Sequence, residues 1–147
     1  MLNLGNEIKG KTVEDMFIGQ KEFVSKTISE YDVYGFAGIT GDLNPAHINE
    51  EYAKNTMFKT RIAHGMLGAG LISAVLGTKL PGPGSIYLGQ NLKFKSPVKI
   101  GDTITAEAEI IEIEDKGKFY IAKIKTTCYN QEGEVVIEGT ATVIPPK

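Results

Sequence analysis

The stretch Gly65-Met-Leu-Gly-Ala-Gly-Leu-Ile-Ser-Ala-Val-Leu76 decides the fold. It is apolar on nearly every helical face and too long for an ordinary strand, and Gly77 follows it as a candidate C-cap. A helix with this pattern is expected to be buried on all sides. Its small residues, Gly65, Gly68, Ala69, Gly70, Ser73 and Ala74, let a sheet approach its backbone closely. Downstream, past the Leu80-Pro-Gly-Pro-Gly84 turn, the period changes to two. Ile104, Ala106, Ala108 and Ile110 alternate with Thr103, Thr105, Glu107 and Glu109, as in a half-buried strand. Turns at Asp115–Lys118 and Asn130–Gly133 separate it from strands over Phe119–Asn130 and Glu134–Ile144, and Ser85–Lys95 supplies another.

Upstream, Lys21–Ile28 reads as a short strand. Ser29-Glu-Tyr-Asp32 has the form of a helix start, with apolar residues recurring from Tyr31 to Ala37. That helix stops at the Thr40-Gly-Asp-Leu-Asn-Pro45 turn cluster, and Asn49 is placed to cap a second helix over Glu50–Phe58. Five strands and one apolar helix make an α+β domain: a curved antiparallel sheet wrapped around a long buried central helix. It spans residues 1–147, with 1–20 as a lead-in. Open sheet edges favour a dimer.

Composition narrows the function. The 147 residues carry 16 Lys plus Arg against 18 Asp plus Glu, a net charge of −2, with no basic run. Nucleic acid is therefore not an expected partner. No apolar stretch approaches the roughly 20 residues that span a bilayer, so no membrane association is expected. Glu7 interrupts the place where a signal peptide needs its apolar segment, so a cytoplasmic location is the default. The single cysteine, Cys128, excludes an internal disulfide and a Cys-cluster zinc site, and its strand pattern puts it in the core. Two histidines without clustered carboxylates give no expectation of a catalytic metal. Neither Gly68-Ala-Gly70 nor Gly82-Pro-Gly84 completes a dinucleotide-binding motif, and Ser73 lacks the elbow of a serine nucleophile.

Two places can hold chemistry. In Asp42-Leu-Asn-Pro-Ala-His47 a carboxylate and an imidazole lie five residues apart, about 140° apart on a continuous helix, so they meet only if the chain turns. Pro45 forces that turn by driving Asn44 out of the helical region. The pair then suits acid/base work on one water. The same residues also read as a turn shaped by Asp42 and Asn44, with His47 on the surface. In Ala63-His64-Gly65, the helix start offers amides without intrahelical partners, suited to a carbonyl oxygen gaining charge. Alternatively, Gly65 serves helix–sheet packing and His64 is a satisfied structural residue.

Taken together, Ile39–His47 with Ala53, Ile62-Ala-His-Gly-Met-Leu67, Pro81–Gln90, and Phe94-Lys-Ser-Pro-Val98 with Gly101-Asp102 resemble the (R)-specific enoyl-CoA hydratases, the MaoC-like branch of the hot-dog fold. The resemblance covers roughly residues 20–145. It implies that Asp42 and His47 are the catalytic pair and that the Gly65 amide binds the thioester oxygen. It further implies that Ser73 supports the aspartate, that Asn44 shapes the loop, and that His64 is structural. Ala46 departs from the larger aliphatic residue usual there. The implied reaction is reversible syn addition of water to a trans-2-enoyl-CoA, giving the (R)-3-hydroxyacyl-CoA. Coenzyme A enters as part of the substrate, with no other cofactor and no metal. The chain would act as a homodimer or higher oligomer with the site at the subunit boundary. Rival readings are a 3-hydroxyacyl-ACP dehydratase docking its carrier on Lys93, Lys95 and Lys99, a hot-dog thioesterase, and a non-catalytic acyl-binding subunit.

Overall fold

In the computed structural model, which describes Gly5 and residues 7–147, the elements follow the expected order with an unexpected addition, the short helix Pro45–Ile48. They are β1 (Lys21–Thr27), α1 (Glu30–Thr40), α2 (Pro45–Ile48), α3 (Glu50–Ala53), α4 (Gly65–Thr78), β2 (Ile86–Phe94), β3 (Thr103–Asp115), β4 (Tyr120–Tyr129) and β5 (Val135–Ile144). The part of the 1–20 lead-in formed by residues 1–4 and 6 lies outside the described residues. The five strands form one antiparallel sheet in the order β1-β3-β4-β5-β2. Register shifts at Tyr87/Gly89, Ile110/Glu112 and Cys128/Tyr129 interrupt the ladders, and such bulges bend and twist a sheet.

The alternation read in β3 is the alternation observed: Ile104, Ala106, Ala108 and Ile110 are fully buried. They share one core with Ile124 and Cys128 of β4, with Ile137, Ala141 and Val143 of β5, and with Ile72, Val75 and Leu76 of α4. The helix comes close at Gly68, which has no side chain where Ile137 packs. A Cβ on Gly68 would stand 2.7 Å from Ile137 Cδ1. Cys128 Sγ lies 3.8 Å from the Gly68 carbonyl, and burial pushes its thiol pKa up to about 12.

Three expectations need correction. First, α4 is not buried on all sides of the single chain: Met66, Gly70, Ser73 and Gly77 are exposed on its outer face, because the sheet covers only the opposite face. Second, Gly77 does not end the helix. It continues through Thr78, and the stop comes when the Leu80 and Gly82 amides turn back to the carbonyls of Val75 and Leu76. Third, the helix expected over Glu50–Phe58 is a single turn, Glu50–Ala53. The Asn55 side chain donates to the Glu51 carbonyl and the Thr56 hydroxyl to the Ala53 carbonyl, local bonds that compete with helix continuation.

Candidate active site

The site begins where α1 ends. Ser29 and Asp32 form a reciprocal capping box at its start, with Ser29 N to Asp32 Oδ2 at 2.9 Å and Asp32 N to Ser29 Oγ at 3.1 Å. At its end Gly41 takes a left-handed φ of 77°, which releases the chain from the helix axis. The next residues hold one another through side chains. Thr40 Oγ1 accepts from Asp42 N at 3.2 Å, Asp42 Oδ1 from Asn44 N at 3.2 Å, and Asn44 Oδ1 from Ala46 N at 3.1 Å. Asn44 thereby caps α2, with Pro45 at its first position. Asp42 thus shapes the turn with one carboxylate oxygen, and among the described residues the other has no hydrogen-bond partner.

This turn brings together residues far apart in sequence. One ligand atom each of Asp42, His47 and His64 lie within 4.8 Å of one another. The His47 ring stacks on that of His64, with centroids 3.8 Å apart at 29°, and the Phe36 ring lies tilted 4.8 Å from that of His64. Main-chain carbonyls set both tautomers. His47 Nδ1 is 2.6 Å from the Ile62 carbonyl, which can only accept, so Nδ1 carries the proton and Nε2 the lone pair. His64 Nε2 donates to the Asp42 carbonyl at 2.9 Å, and its buried Nδ1 has no partner among the described residues.

His64 immediately precedes α4, and no side chain caps the first amides of that helix. Those amides lack intrahelical acceptors and lie at the positive end of the helix dipole. Beside them is a cavity of about 520 Å³ whose walls include His64, Gly65, Phe58, Phe94, Ile104 and Ile137. A Cβ on Gly65 would stand 2.6 Å from the Phe94 ring, so this position keeps both a bare amide and a ring packed beside it.

The residues singled out from sequence are therefore distributed unevenly. Asp42, Asn44 and His47 share one loop, and Gly65 follows the histidine stacked on it. Ser73 stands apart, exposed on the outer face of α4 and roughly 12 Å along the axis from Gly65 at 1.5 Å per residue. Within one chain it does not touch the Asp42 loop. His64, read as structural, lies inside the cluster. The signal was there: a histidine directly ahead of the helix that presents its amides, in a chain with only two histidines.

Comparisons with known proteins show the family. Residues 18–132 match the model of the MaoC like domain. An (R)-specific enoyl-CoA hydratase of Rhodospirillum rubrum is 59% identical over 133 residues, 90% of each chain. A 3-hydroxybutyryl-CoA dehydratase of Methylorubrum extorquens is 48% identical over 96% of this chain and 88% of that one. The (R)-hydratase of Aeromonas caviae involved in PHA biosynthesis superposes with a TM-score of 0.87 at 41% identity, covering 91% of this chain and 100% of that one. With the family model spanning these residues and relatives this similar over most of their length, the chain belongs to the MaoC-like domain family.

Proposed function

We propose that this chain is an (R)-specific enoyl-CoA hydratase, adding water reversibly to a trans-2-enoyl-CoA to give the (R)-3-hydroxyacyl-CoA. The observation that carries the reading is a carboxylate oxygen of Asp42 and a ring nitrogen of His47 close enough to share one water. Two hydrogen bonds of roughly 2.8 Å meeting at a tetrahedral angle span roughly 4.6 Å, and one such atom from each residue lies within 4.8 Å of the other. In this reading His47 Nε2 takes a proton from the water while Asp42 orients it, and the oxygen attacks the β-carbon. Negative charge moves to the thioester oxygen, held by the Gly65 amide, and a proton returns to the α-carbon. One such donor lowers a barrier by about 3–4 kcal/mol. Dehydration of the 3-hydroxyacyl thioester runs through the same groups.

No electron changes hands, so the reaction asks for no redox cofactor, and coenzyme A arrives on the substrate. The relatives' names support the (R) configuration. The active form is a homodimer. One edge strand, β1, carries Lys21, Glu22 and Lys26, charges that blunt an edge. The other, β2, exposes Ile86, Tyr87 and Leu88, and the outer face of α4 is bare as well. The lone unpaired thiol suits a reducing compartment, the cytoplasm. Among the described residues no helix is long and apolar enough to cross a membrane.

The test is loss of the conjugated thioester absorbance of crotonyl-CoA, with the product's configuration read by an (R)- or (S)-specific dehydrogenase. Hydration to the (R)-alcohol is expected, abolished in Asp42→Asn and His47→Ala while both variants still bind acyl-CoA. Folded protein that leaves crotonyl-CoA untouched sends the reading to an acyl-carrier-protein substrate, and hydrolysis to free coenzyme A sends it to a thioesterase.

A further inference from the structure

The helix that carries His47 has no means of holding itself in place. α2 is a single turn without a buried residue, and so short a helix is not stable alone in water. Besides its cap, three bonds locate it. The Ala46 carbonyl accepts from Ile62 N at 3.2 Å, His47 Nδ1 donates to the Ile62 carbonyl at 2.6 Å, and the Ile48 carbonyl accepts from Tyr34 Oη at 3.3 Å. Arg61, the chain's one arginine, stands behind all three. It adjoins Ile62 in the chain, and its Nη1 donates to Tyr34 Oη at 3.0 Å.

The rest of the guanidinium is also engaged. Nε donates to Glu50 Oε2 at 2.9 Å and Nη2 lies 2.5 Å from Glu30 Oε1, while the Arg61 main-chain N–H reaches the same Glu50 oxygen at 3.2 Å. The Arg61 guanidinium in turn holds the Glu50 carboxyl below its ordinary range. Glu30 begins α1, Glu50 begins α3, and the arginine side chain is only 19% exposed. A planar fork with fixed donors can hold three partners in one geometry, which a lysine ammonium cannot.

We propose that Arg61 is a positioning residue for His47: it locks the Ile62 carbonyl against α2, and so fixes the ring orientation and tautomer that leave Nε2 as the base. Asp42 is tied elsewhere, through Thr40, Asn44 and His64, so the effect falls on one member of the pair. The activity arm of this proposal rests on the hydratase reading; the structural arm does not.

The test uses Arg61→Gln, with Glu50→Gln as a milder second variant that keeps the arginine stem in place. The two glutamates are about half exposed, so their ion pairs are partly screened by water, and both variants are expected to fold. In Arg61→Gln, kcat for crotonyl-CoA should fall roughly ten- to a hundredfold with KM held within about twofold, as for a misplaced catalytic group. Histidine-selective nitrogen NMR of the substrate-free protein supplies the reading that a loss of stability alone does not move. The two histidines carry opposite tautomers, so His64 serves as an internal control. The expected result is loss of the His47 Nδ1–H signal and a mixture of tautomers there, with His64 unchanged. The proposal is overturned by an unchanged His47 tautomer in Arg61→Gln, or by both histidines responding alike with kcat following the folded fraction. Should Arg61→Gln fail to fold, the same readings on Glu50→Gln decide. Wild-type protein inert toward crotonyl-CoA would end the hydratase reading and leave the tautomer result to stand or fall alone.

Discussion

A methyl group on Gly65 would stand 2.6 Å from Phe94 Cε1, inside van der Waals contact, so a substitution there must displace the ring. Phe94 is 54% exposed and free to swing outward, which makes the structural cost small. The functional cost is different in kind, because the displaced ring and the added methyl both border the amide proposed to receive the thioester oxygen. Gly65→Ala should change unfolding free energy by less than roughly 1 kcal/mol yet lower kcat/KM for crotonyl-CoA at least about tenfold. Urea unfolding and initial rates measured on one preparation check both. A stability loss large enough to account for the rate would return Gly65 to a packing role. Asp42 carries a second lesson at this scale. Its reading as a turn former and its reading as a reacting group looked like competitors, but one carboxylate oxygen does the first and the other remains for the second.

Elements were legible in proportion to how local their causes are. The start of α1 was visible because Ser29 and Asp32 are three residues apart and satisfy each other's amides. The strands β3, β4 and β5 were visible because each carries buried apolar positions, most regularly in β3. The extent of α3 was not, since side chains at Asn55 and Thr56 divert bonds the helix would use. Nor was α2, whose anchors are carbonyls and a tyrosine from distant segments, none announced by residue identity. The α1 cap also yields a pH prediction. The Ser29 N–H, then its hydroxyl, then Lys26 at 3.3 Å hold the Asp32 carboxyl below its ordinary range. A carboxylate depressed in the folded state contributes stability that is present above its unfolded pKa of about 3.9 and lost as pH falls through the folded value. Asp32→Ala should therefore cost about 1 kcal/mol at pH 7, and its deficit against wild type should shrink at about pH 3. An equal deficit at both pH values would mean that the charge on Asp32 is not the source.

At the scale of the whole molecule the sequence was right about composition of the core and wrong about what covers α4. An all-apolar helix does need cover on every side; one chain supplies half of it. Gly70 tests where the other half comes from. A Cβ at this position meets nothing within 4 Å, so in a lone chain Gly70→Arg is free of clashes, and replacing a mid-helix glycine gains up to about 1 kcal/mol. If a second copy covers this face, the same change should halve the mass in sedimentation equilibrium and remove activity. A dimeric, active Gly70→Arg would move the interface away from α4. The main-chain bonds behind the reacting pair have a consequence for descent. The carbonyls of Asp42, Ala46 and Ile62 are supplied by any residue, so lineages can exchange the side chains at 46 and 62 while the chemistry persists. A library of variants over this loop should recover neutral changes most often where the structure uses only the backbone.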